Sequence, residues 1–260
     1  MDCYVLSHNG LGDNILMNGA LNYLAKFYNN VYFLCKDINI HHVSCMYKNS
    51  NIIPIMFDSK NEYHSCHELL SDKYKTSDVL IAGCHKAYLK TQTTIVTTNE
   101  LSSLKIPSHF KFGGDFYKDI GLNPSIMGSH FNLNCLVDFT NIYNAISNYK
   151  IIFLHTESSQ STIDLNYVIQ QHILKTDYLI ISANNNAYDK HHCKYELANK
   201  YIKLPTIIHY VEIIKNAEEL HMIDSSISCL ALCLKLNEKT TCIQMKIYDR
   251  FTSYPIDLSL

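Results

Sequence analysis

Several residue types are scarce in this 260-residue sequence, and each shortage narrows what the protein can be. There is no tryptophan and a single arginine, Arg250. Recognition of phosphate therefore has to depend mainly on lysine, histidine, hydroxyl groups and backbone N–H groups. Lysine and arginine together number 22, against 24 aspartate and glutamate residues. Because binding to nucleic acid requires a clustered surplus of positive charge, this balance argues against a nucleic-acid partner.

Long apolar runs, paired cysteines and metal-binding spacings are also absent. No apolar run reaches the roughly 18 residues of a membrane-spanning helix, so we expect no transmembrane segment. The ten cysteines form no CxxC pair, and the start, Met1-Asp2-Cys3, shows no secretory signal. We therefore expect a reducing, cytoplasmic setting. The histidine pairs His41-His42 and His191-His192 have no further ligands at metal spacing, so we predict no metal site.

Apolar runs that alternate with helical patterns indicate the fold. In the first half, the runs predict strands at 4–6, 31–35, 52–57, 78–82 and 95–97, and helices at 38–47, 58–75 and 112–122. After residue 148 they predict strands at 151–155, 178–182, 221–223 and 241–245, and helices at 165–174, 211–220 and 227–236. This alternation is typical of parallel sheets. We predict an α/β protein with two Rossmann-like domains facing a cleft, residues 1–148 and 149–260.

The segment His8-Asn9-Gly10-Leu11-Gly12-Asp13-Asn14 joins the first predicted strand to the first helix. Ligands of α/β proteins bind at the carboxyl ends of strands, and glycine lets the backbone approach a ligand closely. Asp13 would then face a crevice. A carboxylate at a helix start also caps backbone N–H groups, so a plain N-cap is an equally good interpretation. The segment matches neither GxGxxG nor a P-loop.

Polar segments also follow the predicted strands of the second half. Asp224-Ser225-Ser226 stands before an apolar helix, where hydroxyls and N–H groups suit a phosphate, although simple N-capping explains it too. The segment from His155 to Ser158 and Ser159 offers an imidazole and hydroxyls to a diphosphate, or is a solvated turn. The loop from Asn184 to Lys190 offers contacts to a base, ribose or phosphate, although a polar surface loop is the simpler interpretation. Glu218-Glu219 reads as a solvated helix face.

Two segments resemble sequences of a known enzyme family. Residues 6–21, with the Gly10–Asp13 turn, resemble the opening of heptosyltransferase-like (family 9-type) glycosyltransferases. Residues 217–226 resemble their carboxyl-terminal nucleotide-sugar motif, in which a helix leads through a short strand to an Asp-Ser step. The sequence departs from that motif at 226–228, where Ser-Ile-Ser replaces the usual glycine and the histidine that follows. Glu157 also stands where a basic residue is expected.

The resemblance implies a GT-B fold, with the acceptor bound by the first domain and the donor by the second. It implies that Asp13 is the catalytic carboxylate and that no metal is essential. Residues expected on the acceptor side are His8, Asn9, Gly10, Gly12 and Asn14. Residues expected to bind the donor are His155, Ser158, Ser159, Asn184, Lys190, Asp224, Ser225 and Ser226.

The sequence thus predicts an inverting, metal-independent glycosyltransferase in polysaccharide biosynthesis. Its donor would be a nucleotide-diphosphate sugar, its acceptor a glycan or lipid-linked saccharide, and it would need no cofactor. Three alternatives remain open. These are a nucleotide-sugar epimerase of the same fold, a Rossmann methyltransferase that uses Gly10-Leu11-Gly12 for its cofactor, and a non-catalytic glycan-binding relative.

Overall fold

The protein is represented by a computed structural model that describes residues 1–7, 10–93, 111–134, 139–234 and 244–254. The chain divides after residue 136 into two compact units. Each unit has its own four-stranded sheet, and every strand pairing in both sheets is parallel. The prediction of an α/β protein with two parallel sheets is confirmed.

The first unit is built on a sheet with strand order β3-β2-β1-β4. Its strands are β1 (Cys3–Leu6), β2 (Val31–Lys36), β3 (Ile52–Phe57) and β4 (Asp78–Ile81). Val5, Phe33 and Val79 are completely buried, as expected for strands covered on both faces. Burial of each such side chain contributes roughly 1.5–3 kcal/mol. The predicted strand at 95–97 lies outside the described residues.

Short helices accompany this sheet. They are α1 (Leu11–Leu16), α2 (Asn18–Leu24), α3 (Ile40–Cys45), α4 (Glu62–Ser71), α5 (Lys111–Asp119) and α6 (Ile126–Ser129). The predicted helix at 112–122 ends early because Gly121 has φ of 77° and the Leu122 N–H turns back to the Tyr117 carbonyl at 2.8 Å. A glycine in the left-handed region is a common way to end a helix.

The second unit is built on a sheet with strand order β6-β5-β7-β8. Its strands are β5 (Lys150–His155), β6 (Tyr178–Ser182), β7 (Ala217–Ile223) and β8 (Gln244–Tyr248). Its helices are α7 (Phe139–Asn144), α8 (Asn166–His172), α9 (Tyr195–Asn199), α10 (Val211–Lys215) and α11 (Ser226–Cys233). The last predicted strand spans 241–245. Its first three residues lie outside the described ranges, and its last two are the start of β8. Within the described ranges, no helix has the length and apolarity needed to cross a membrane.

The predicted helix at 211–220 is wrong in its second half. The helix α10 ends at Lys215, and the chain continues from Ala217 as β7, a central strand between β5 and β8. Glu218-Glu219 is therefore part of a strand and half-buried, not a solvated helix face. Pairing on both sides of β7 outweighs the local preference of Ala-Glu-Glu-Leu for helix.

Candidate functional site

The loops that follow the four strands of the second unit lie along one edge of its sheet, because the strands are parallel. His155 ends β5, and Asn184 follows β6 by two residues. Asp224-Ser225 follows β7, and Asp249-Arg250 follows β8. In α/β proteins this carboxyl edge is where ligands bind. Most of the residues predicted to bind a donor are thus brought to one edge, together with the only arginine.

His155 and Ser225 contact each other at this edge although they are 70 residues apart. The Nδ1 atom of His155 and the Oγ atom of Ser225 are 3.0 Å apart. Burial lowers the pKa of the His155 imidazole from 6.5 to about 4. The ring is therefore neutral at pH 7 in the free protein, so it offers a ligand a hydrogen bond and not a positive charge.

Ser225 also begins helix α11. The Ser225 N–H donates to the hydroxyl of Ser228 at 2.9 Å, and that hydroxyl donates to the Ser225 carbonyl at 2.7 Å. Ser226 is half-buried in the first turn of the helix. The helix start is capped by its own serines, so capping alone accounts for part of the Asp-Ser-Ser sequence. A helix N-terminus nevertheless presents N–H groups and a partial positive charge that suit an anion.

Arg250 supplies the positive charge at this edge. Its Nε atom lies 3.7 Å from Oδ2 of Asp224, and the Arg250 side chain is 38% exposed. The Ser161 hydroxyl donates to the Arg250 carbonyl at 2.5 Å, which ties the loop after β5 to the loop after β8. Within the described residues, the Nε atom of Arg250 has no hydrogen-bond partner. The sequence alone did not indicate that Arg250 lies beside Asp224.

The remaining predicted donor residues fall into two groups. Asn184 belongs to the edge, since its Oδ1 accepts from the Thr156 N–H at 2.8 Å. The Ser158 hydroxyl is engaged within its own turn, where it accepts from the Ser161 N–H at 3.1 Å. Ser159 and Lys190 are exposed, and in the described part of the chain no contact joins either of them to His155 or Ser225.

The Asp13 corner of the first unit is a tight capping arrangement. The Gly10 N–H donates to Oδ2 of Asp13 at 2.9 Å, and a Cβ atom on Gly10 would lie 2.7 Å from that oxygen. Only glycine at position 10 allows the carboxylate this close. Gly12 lies in the first turn of α1, and Asn14 Nδ2 donates to the Gly10 carbonyl at 2.9 Å. His8 and Asn9 lie outside the described residues.

A network of polar side chains around β7 was not predicted from the sequence. Glu219 on β7 contacts Nε2 of His172 at 3.4 Å and Nε2 of His221 at 3.0 Å. The other ring nitrogen of His221 lies 3.1 Å from the Tyr248 hydroxyl, which in turn contacts the Tyr167 hydroxyl. Burial lowers the pKa of both imidazoles and raises that of Tyr248. This network joins α8, β7 and β8 and shows why a central strand carries polar residues.

Three solved structures of glycosyltransferases are similar to this chain over nearly its whole length. One is a glycosyl transferase of family 9 from Veillonella parvula, with a TM-score of 0.52 and 10% identity over 97% of this chain and 88% of that one. Another is the ADP-heptose LPS heptosyltransferase II of E. coli, with a TM-score of 0.51 and 11% identity over 96% and 84% of the two chains.

The third is the E. coli heptosyltransferase WaaC with ADP, with a TM-score of 0.50 and 11% identity over 98% of this chain and 94% of that one. The chain has the fold of family 9 glycosyltransferases. No family model and no curated protein matches the sequence. The similarity that the two end segments suggested is therefore present in the fold, whereas identities of 10–11% leave the activity to be argued from the residues.

Proposed function

We propose that this protein is an inverting, metal-independent glycosyltransferase that uses a nucleotide-diphosphate sugar. The observation that carries the proposal is the contact between His155 and Ser225, 3.0 Å apart at the carboxyl ends of adjacent parallel strands. It places an imidazole and a hydroxyl beside a helix N-terminus and the only arginine. The fold of family 9 glycosyltransferases supports the choice of a sugar nucleotide as the ligand.

The second unit would hold the diphosphate of the donor. The first turn of α11 and the Arg250 guanidinium would stabilise its negative charge, and the His155–Ser225 pair would donate one hydrogen bond to it, since its other hydrogen lies between the two side chains. Fixed donors of this kind stabilise a leaving diphosphate without a metal ion, because they are oriented before the charge develops. Asp224 would keep Arg250 in place through the contact at 3.7 Å.

The first unit would supply the base. In the proposed GT-B arrangement the two units face a cleft, and the Asp13 carboxylate takes the proton from an acceptor hydroxyl. The hydroxyl oxygen attacks the anomeric carbon of the donor from the side opposite the diphosphate, which leaves with the bonding electron pair, so the configuration inverts. General-base assistance of this kind contributes about 10²–10⁴-fold. The acceptor would be a glycan or a lipid-linked saccharide.

Asp13→Asn tests the base. Asparagine retains an oxygen that accepts from the Gly10 N–H, so the helix cap is kept while the basicity is lost. We expect transfer from UDP-, GDP-, ADP- or dTDP-sugars to fall about 10²–10⁴-fold, with the melting temperature nearly unchanged. The matched control is Asp72→Asn, at an exposed aspartate of the same unit. Full turnover in Asp13→Asn would remove the proposed base.

Three further measurements distinguish the proposal from the alternatives. NMR of the product gives its anomeric configuration, and retention would contradict inversion. A product formed from the donor alone, without acceptor, would identify an epimerase. A thermal shift with S-adenosylmethionine and none with nucleoside diphosphates would identify a methyltransferase, and saccharide binding without nucleotide binding would identify a non-catalytic relative.

A further inference from the structure

A second cluster of reactive side chains lies at the carboxyl edge of the first unit's sheet. Glu62 is the first residue of α4, which follows β3, and Cys84 and His85 lie in a 3₁₀ helix, Gly83–Ala87, that follows β4. One ligand atom of each of Glu62, Cys84 and His85 lies within 4.8 Å of the other two. Nε2 of His85 is 3.3 Å from Oε1 of Glu62.

We propose that Glu62, Cys84 and His85 bind a zinc ion. A thiolate, an imidazole and a carboxylate are the three ligand types that zinc takes in proteins, and three protein ligands leave a fourth position for water. In a tetrahedral zinc site with bonds of about 2.0–2.3 Å, ligand atoms lie roughly 3.3–3.8 Å apart. The His85–Glu62 distance is already of that size, and the Cys84 thiol lies within 4.8 Å of both other ligand atoms.

The charges around the cluster are compatible with a divalent cation. Lys36 Nζ contacts Oε2 of Glu62 at 3.0 Å, so coordination through Oε1 alone leaves this ion pair intact. The Glu62 carboxylate and the Cys84 thiolate would together neutralise the two charges of zinc. An ion-pair network of Lys36, Glu62 and His85 without a metal is the competing explanation. Stoichiometric binding of zinc distinguishes the two explanations.

The segment that carries Cys84 and His85 is held on both sides. Gly83 has φ of 68°, which favours glycine, and its N–H donates to Oδ2 of Asp119 at 2.8 Å. The other carboxylate oxygen of Asp119 contacts Lys86 Nζ at 2.6 Å. His85 itself has a side chain only 4% exposed. Ligands that are fixed by a second layer of contacts bind a metal more tightly, because less motion is lost on binding.

Two negatively charged side chains act on the thiol of Cys84. Partial burial, followed by the charges of Glu62 and Asp13, raises the pKa of the Cys84 thiol. The influence of Asp13 shows that the cluster lies near the proposed base.

The test measures metal binding and does not depend on activity. Protein that has been stripped with a chelator and kept reduced is titrated with zinc against a chromophoric chelator, and with cobalt to detect a thiolate-to-metal absorption band. We expect one equivalent of zinc and a cobalt band. We expect Cys84→Ser to lose the band and bind zinc about 100-fold more weakly or worse. The serine variant should remain folded because Cys84 is exposed.

Two control variants and a second ligand variant complete the test. Cys193→Ser removes another exposed thiol, and His64→Asn removes an exposed imidazole from α4, the helix of Glu62. Both should bind one zinc as tightly as the wild type. Glu62→Gln should weaken zinc binding while circular dichroism shows a folded protein. The proposal is overturned if the wild type binds no stoichiometric zinc, or if Cys84→Ser binds it as tightly as the wild type.

Discussion

His155 makes the stability of the second unit depend on pH in a way that can be calculated. Its imidazole is 8% exposed, and burial lowers its pKa from 6.5 to about 4. Each pH unit by which the pKa differs between the folded and unfolded states corresponds to about 1.4 kcal/mol of free energy. The difference between a pKa of 6.5 in the unfolded state and about 4 in the folded state therefore lowers the free energy of unfolding by about 3 kcal/mol when the pH falls from above 6.5 to about 4. His155→Asn removes the titration and keeps a polar side chain next to Ser225.

The sign follows from proton binding. Between pH 6.5 and about 4 the unfolded state holds a proton on His155 that the folded state does not, so the free energy of unfolding decreases as the pH falls through this window. Above pH 6.5 neither state is protonated, and below pH 4 both are. Relative to the wild type, His155→Asn should therefore gain about 3 kcal/mol of stability between pH 7.5 and pH 4.

Urea unfolding followed by circular dichroism at intervals of half a pH unit measures this difference. Titration of the carboxylates and of the other buried histidines, His85, His172 and His221, is common to both proteins and cancels. His191→Asn controls for the loss of an exposed imidazole from the same unit. A constant difference between wild type and His155→Asn across the whole range would refute the argument that burial keeps the ring neutral.

Three other substitutions test packing and hydrogen bonding inside the two units. Ser225→Ala removes the partner of His155 and part of the α11 cap. The free energy of unfolding should therefore fall by about 0.5–2 kcal/mol, and the affinity for nucleoside diphosphates should fall as well. If stability falls while the affinity is unchanged, Ser225 is only a helix cap. Gly19→Ala places a Cβ 2.6 Å from the carbonyl oxygens of Ile126 and Met127, and urea unfolding should show a loss of about 1–3 kcal/mol. Gly113→Ala is its control, because the contacts there are flexible side-chain ends. Glu219→Gln leaves one histidine N–H facing an amide NH₂, and a loss of about 1–3 kcal/mol is expected by the same assay.

Most strands could be located from the sequence because parallel strands are buried on both faces and read as continuous apolar runs. The strands β3 and β6 have the same bounds as the predicted 52–57 and 178–182. Only the last three residues of β7, 221–223, were predicted as a strand, because Glu218 and Glu219 interrupt the apolar pattern before them. The half-buried Glu219 and the buried His221 are tolerated in β7 because each contacts a side chain from another element, and such contacts are not visible in a linear pattern.

Contacts between residues distant in sequence also could not be predicted at the candidate sites. The sequence indicated which loops follow strands, and the structure places His155, Asn184 and Ser225 at one edge as that reasoning implies. The contact of His155 with Ser225 depends on β5 lying beside β7, and that neighbour relation is not readable from either segment. The cluster of Glu62 with Cys84 and His85 spans β3 and β4, which are at opposite ends of the sheet order. No ligand spacing in the sequence could have indicated it.

The distribution of charge between the two units gives a physical reason for dividing the proposed chemistry between them. Two like charges about 4 Å apart in the partly screened surroundings of a protein surface repel each other by about 4 kcal/mol. A carboxylate base placed in a diphosphate site would therefore weaken donor binding by roughly a thousandfold. The edge of the first unit carries Asp13 and Glu62. At the edge of the second unit, Asp224 lies against Arg250, and the Asp249 carboxylate accepts from backbone N–H groups of its own turn. Keeping the base on one unit and the anion site on the other avoids that repulsion until the acceptor reaches the donor.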